Sequence, residues 1–114
     1  MRIMITILIV LYASSAYSFG KVNQAYVVNV RVDRNGWGIV TFDSPIVGDY
    51  APKRNANYVN HFSFDTNTEG GKALYTMALT AVASGKRITA YGTGACSEYT
   101  DTVESWSYGH LYKD

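Results

Sequence analysis

The chain has 114 residues, a formal net charge of +1 and a single cysteine, Cys96. That length suits one domain with one modest core. The near-neutral charge, without a run of like charges, excludes a general electrostatic attraction for nucleic acid or anionic lipid, and one cysteine excludes an intramolecular disulfide.

Residues 1–18 have the three-part layout of a secretory signal peptide. Met1-Arg2 gives a positive start and Ile3 to Tyr12 is an almost unbroken apolar run. Ala13-Ser14-Ser15-Ala16-Tyr17-Ser18 is a small-residue end, with Ala16 and Ser18 at the −3 and −1 positions of a cut after Ser18. The apolar run is far short of the roughly 20 residues that a spanning helix needs. The expectation is export with cleavage, no membrane anchor afterwards, a periplasmic or secreted location, and one mature domain over 19–114. Loss of Arg2 leaves nine basic against nine acidic side chains. Loss of Tyr12 and Tyr17 leaves eight tyrosines beside Trp37 and Trp106. These side chains join an apolar face to a polar tip, which suits a half-buried sheet and a sugar-binding surface alike.

Gln24 to Asp33 alternates with a period of two and predicts a strand with Val28, Val30 and Val32 on its buried face. Asn35-Gly36 precedes Trp37 to Phe42 and predicts a two-residue type I′ hairpin with Val32 opposite Ile39 and Arg34 opposite Trp37. Asp43 to Asn57, with Pro45, Gly48 and Pro52, reads as a long loop. Tyr58 to Asp65 reads as a third strand with Tyr58, Asn60, Phe62 and Phe64 on one face.

The period then changes. Thr66 or Thr68 caps a helix, Glu69 sits in its first turn, and Leu74, Tyr75, Ala78, Leu79 and Val82 form its apolar stripe. Gly85 ends it in the left-handed conformation. Its small residues, Ala73, Ala78, Ala81, Ala83 and Ser84, predict tight packing on the protein's own sheet, with helix contact between subunits as the alternative. Ile88 to Tyr91 is a fourth strand and Val103 to Tyr112 a fifth. The order is β-β-β-α-β-β, a mainly β chain with one helix (α+β). It fits an OB-like five-stranded antiparallel barrel, whose helix plugs one end, and equally a curved sheet with a helix across it.

The segment from Thr66 to Cys96, TNTEGGKALYTMALTAVASGKRITAYGTGAC, resembles a family of small exported bacterial proteins. Their shared stretch runs from a small-residue helix through Ser-Gly-Lys into a strand closing on Gly-Thr-Gly-x-Cys, and Glu104 before an aromatic strand also fits. More distantly, the helix, its Gly turn and the next strand look like the B (binding) subunits of subtilase-type and related pertussis-like toxins. That resemblance implies an OB-fold, a pentameric homo-oligomer and a cell-surface glycan as ligand. The family pairs the Gly-Thr-Gly-x-Cys cysteine with an earlier one; this chain has none to offer. The toxins' sugar contacts match no positions here.

Catalytic and metal constellations are weak. His61 and His110 could support acid–base chemistry but read as two ordinary, partly exposed histidines. Neither makes a close ligand pair with Cys96, so no metal site and no cofactor are expected. Cys96 lacks the surroundings of a nucleophile and is expected buried and inert, the alternative being pairing with another chain. Ser84-Gly85-Lys86 and Gly92-Thr93-Gly94 lack phosphate-loop spacing and read as turns. Glu98, Asp101 and Glu104 read as a solvated acidic loop rather than a calcium site. The best candidates for ligand contact are the strand aromatics Trp37, Tyr91, Trp106 and Tyr108. The expected function is non-enzymatic binding of a glycan. The rival is a monomeric exported protein that binds another protein, as an inhibitor or assembly factor.

Overall fold

The computed structural model describes residues 19–48, 56–100 and 102–114; the expected leader, the middle of the predicted long loop at 49–55 and Asp101 lie outside them. Five antiparallel strands, β1 (Lys21–Val32), β2 (Trp37–Phe42), β3 (His61–Asp65), β4 (Arg87–Gly92) and β5 (Trp106–Leu111), form one open sheet in the order β3-β2-β1-β4-β5. The helix α1 (Glu69–Ser84) lies between β3 and β4 in the chain, as the sequence period predicts, so the fold is mainly β, α+β.

β1 is long because its neighbours use different halves of it: β4 pairs with residues 21–26 and β2 with 27–32. Two bulges break its alternation. Asn23 and Gln24 together oppose Thr89, with Gln24 at φ 47°, and Val28 is an extra residue between the pairs Val27↔Phe42 and Asn29↔Thr41. Each bulge shifts the side-chain parity by one. The core therefore takes Val22, Ala25 and Val27, with Val30 packed at its margin. Val28 and Val32, expected inside, are exposed, Val28 by 55%.

The hairpin lies where Asn35-Gly36 places it, with a different turn. The Asp33 N–H donates to the Trp37 carbonyl at 2.6 Å and the Gly36 N–H to the Asp33 carbonyl at 2.9 Å. Gly36 takes a positive φ (92°) and Asn35 does not. The connection is a three-residue loop closed by a left-handed glycine. Val32 consequently faces Gly38, and Arg31 faces Ile39. Asn35 has its own task, since its Oδ1 accepts the Trp37 N–H at 3.0 Å.

The third strand begins at His61, because Ala56–Tyr58 form a 3-10 turn, and the fifth begins at Trp106 rather than Val103. The Thr68 hydroxyl caps α1 by accepting the Gly71 N–H at 2.9 Å, and Gly85 (φ 67°) ends it with its N–H on the Ala81 carbonyl at 3.0 Å. The helix presents Gly71, Ala78 and Ala81 to the sheet, with Leu74, Tyr75 and Met77 half-buried beside them, while Leu79 and Val82 of the expected stripe are exposed. Close approach explains the rotation. A β-carbon on Gly71 would sit 1.6 Å from the Asp65 carbonyl oxygen.

Phe42, Phe62, Phe64 and Trp106 fill the core with edge-on rings, 5.8 Å apart for Phe42–Phe62 and 6.4 Å for Phe64–Trp106. On the opposite face of β2 and β3, Ile39 and Ser63 are also buried. The connection from β4 to β5 crosses there. Its end makes a parallel bridge, Ser63↔Ser105, with the Ser63 N–H on the Glu104 carbonyl at 2.9 Å.

Candidate functional site

β4 pairs with β5 so that Tyr91 lies opposite Tyr108, and with β1 so that Tyr91 lies opposite Lys21. Register thus gathers one row of side chains across three strands. The Tyr91 and Tyr108 rings stack at 4.5 Å and 18°. The Lys21 ammonium stands 5.3 Å from the Tyr91 centroid, a cation–π contact, and the His110 ring meets both tyrosines edge-on at 6.1 Å. Phe19 approaches Tyr91 edge-on at 6.4 Å. Phe19 (41%) and Tyr108 (51%) keep much of their surface in solvent. They wall a cavity of about 380 Å³ completed by Gly92, Thr93 and Ser107.

No known protein family, curated protein or solved structure matches this chain.

Of the four sequence candidates, the fold brings Tyr91 and Tyr108 together and separates the others. Trp106 is only 4% exposed, belongs to the core, and donates its indole N–H to the Tyr108 carbonyl at 2.9 Å. Trp37 lies at the hairpin end of β2, packed edge-on against Tyr99 at 5.6 Å. Phe19, Lys21, Thr93 and Ser107 join the site without a sequence signal. Only the register of β4 against its two neighbours identifies them.

A second cavity, of about 280 Å³, also has Ser107 in its wall. Phe64, Leu74 and Trp106 give it an apolar lining, and Asp65 and Glu98 contribute carboxylates. Glu98 is fixed there by hydroxyl donors, Ser63 at 3.1 Å and Ser105.

The acidic loop differs from its expected solvated state at Glu104, which is 0% exposed. Its Oε2 accepts the N–H of Gly20 at 2.8 Å and of Gly94 at 3.1 Å. Gly92-Thr93-Gly94 thus wraps a carboxylate of its own chain. Cys96 is half-buried. The histidines stand on β3 and β5, the two ends of the strand order, and have different ring partners: Tyr58 for His61, the stacked tyrosines for His110. Burial pushes the His61 imidazole below its ordinary value, against the raising effect of a backbone hydrogen bond at Tyr58. Among the described residues no three His, Cys, Asp or Glu side chains group as metal ligands would.

Proposed function

We propose that the chain is an exported, non-enzymatic binding protein, and that the Tyr91–Tyr108 face of an OB-like domain takes a cell-surface glycan. The exposed Tyr108 ring, stacked on the half-buried Tyr91 and set beside Thr93 and Ser107, carries this reading. Sugar rings lay their C–H faces on such aromatics while neighbouring polar groups bind the hydroxyls. The OB-like part rests on the strand order with its helix between β3 and β4, and on the Ser63–Ser105 bridge that draws the two ends of the sheet together. The leader layout of residues 1–18 supports export. The distant likeness of the helix, its Gly turn and the next strand to toxin binding subunits supports a pentameric ring.

The test is a glycan array probed with the folded protein, together with its native mass under reducing and non-reducing conditions. Binding to a subset of glycans is expected, lost in Tyr108→Ala and Tyr91→Ala variants whose circular dichroism is unchanged. A reduction-insensitive ring supports the subunit reading. A blank array from assembled protein overturns the glycan reading.

A second reading, a monomer that binds another protein, is favoured by the exposed apolar side chains Tyr26, Val28 and Val32 on β1 and Leu79 and Val82 on α1. A clean monomer with a blank array would support it.

A further inference from the structure

We infer that the Phe19–Tyr108 cavity and the cavity at Glu98 are two halves of one site, and that the glycan it takes is at least a disaccharide. One ring lies against Tyr108, and the hydroxyls of the next donate to the Glu98 and Asp65 carboxylates. This deepens the glycan reading and rests on it.

Ser107 stands in the walls of both cavities. It is exposed, and β5 is an end strand of the sheet order, so a chain can pass from one cavity to the other over Ser107 without crossing another strand. At about 380 and 280 Å³ the two cavities lie just above and just below the small end of the ~300–1,000 Å³ range of ligand pockets. Joined, they fall well inside it.

The two walls differ in what they offer. On the Tyr108 side, Thr93 and Ser107 bring hydroxyls, which donate as well as accept, and a cut after Ser18 leaves the Phe19 α-ammonium there as a further donor. On the Glu98 side the charged side chains of the lining are carboxylates, with no basic side chain among them. An ionised carboxylate only accepts, so the ring seated there must donate, as sugar hydroxyls do, in charge-assisted hydrogen bonds. Both carboxylates are oriented by the protein. Glu98 Oε2 accepts the hydroxyls of Ser63, at 3.1 Å, and of Ser105. Asp65 Oδ1 accepts the backbone and side-chain N–H groups of Asn67 at 2.9 and 2.8 Å. Among the described residues this leaves Glu98 Oε1 and Asp65 Oδ2 for a ligand, beside the apolar surface of Phe64, Leu74 and Trp106.

The experiment takes the terminal monosaccharide and the terminal disaccharide of each array hit as methyl glycosides and follows both by NMR titration. The disaccharide should bind about tenfold more tightly or better, a difference of roughly 1.4 kcal/mol. Both fragments should move the amide signals of Thr93 and Ser107, and only the disaccharide those of Leu74 and Glu98. Glu98→Gln and Asp65→Asn should each shrink the disaccharide's advantage by about threefold or more. The monosaccharide's affinity should stay unchanged in both, which also shows that each variant is folded. Equal binding of the two fragments, or shifts confined to the Tyr108 side, overturns the two-cavity inference and leaves the glycan reading standing. An advantage that survives both substitutions overturns the assignment to the carboxylates. An array on which no glycan binds overturns the glycan reading and this inference together.

Discussion

Glu104 shows how much a single side chain can organise. A fully buried carboxylate is tolerable only when donors surround it, and here the N–H groups of Gly20 and Gly94 do so. The same group joins the start of β1 to the end of β4, and therefore sets the floor of the Phe19–Tyr108 cavity. Glu104→Ala would leave two buried backbone donors without this acceptor, at about 1–3 kcal/mol each, and a void besides. Glu104→Gln keeps the volume and one acceptor and should cost less. Gly92→Ala should be as harmful as the alanine variant, because its β-carbon would fall 1.9 Å from the Glu104 Oε2. Urea unfolding of the three variants checks the ranking. Equal stability of Glu104→Ala and the parent would show that the carboxylate is not the joint between these segments.

At the scale of elements, the places of turns and caps were legible, whereas the turn type and the strand parity were not. Thr68, Gly85 and Asn35-Gly36 mark boundaries that the fold respects, because each solves a local hydrogen-bonding or φ problem that needs no knowledge of the rest. The buried face of β1 was lost because a bulge leaves no trace in a two-residue period. Val28, Val30 and Val32 look alike, yet the extra residue at Val28 and the Asn23-Gln24 pair decide which valines face in. The helix stripe failed for a related reason. Both of its candidate faces are apolar enough, and the approach of Gly71 to Asp65 selects the one made of alanines. At the site, Tyr91 and Tyr108 were visible as strand aromatics, whereas Phe19 and Lys21 required the register of three strands. The hairpin makes this testable. Gly36 alone carries the left-handed turn conformation, so Gly36→Ala should destabilise by about 1–2 kcal/mol. Asn35→Ala, which loses only the bond to the Trp37 N–H, should cost about 1 kcal/mol. A true type I′ turn would make both replacements comparably harmful, and the ratio of the two losses in thermal unfolding distinguishes the turns.

Across the whole molecule, the connection from β4 to β5 brings the two ends of the sheet together and buries Ile39 and Ser63 on the face opposite the core. One side chain fastens its middle. The Tyr99 hydroxyl donates to Asp33, its ring meets the edge of Trp37, and the Arg31 guanidinium lies 5.8 Å from the ring centroid. Arg31, followed by Tyr99, holds the Asp33 carboxyl below its ordinary value, and burial followed by the Asp33 bond holds the Tyr99 hydroxyl above its own. The sign of the coupling follows. A carboxyl whose folded value is depressed stabilises the fold above the ordinary carboxylate range, about pH 4, and that stabilisation is lost as pH falls through the folded value. A tyrosine whose folded value is raised stabilises the fold against the unfolded chain only up to its ordinary value near pH 10, and opposes unfolding less as pH rises beyond it. The fastening should therefore hold across the neutral range and loosen at both extremes. Hydrogen exchange of residues 96–100 should be faster in Tyr99→Phe than in the parent at neutral pH and faster again in Tyr99→Ala, with the Trp37 indole signal moving and that of Trp106 fixed. Acidification from the ordinary carboxylate range down through the depressed Asp33 value should reduce the difference between parent and Tyr99→Phe, because the Tyr99 hydroxyl then meets a neutral and weaker partner. If exchange in this segment instead matches global unfolding in every variant, the connection is an integral part of the sheet and Tyr99 is not its fastening.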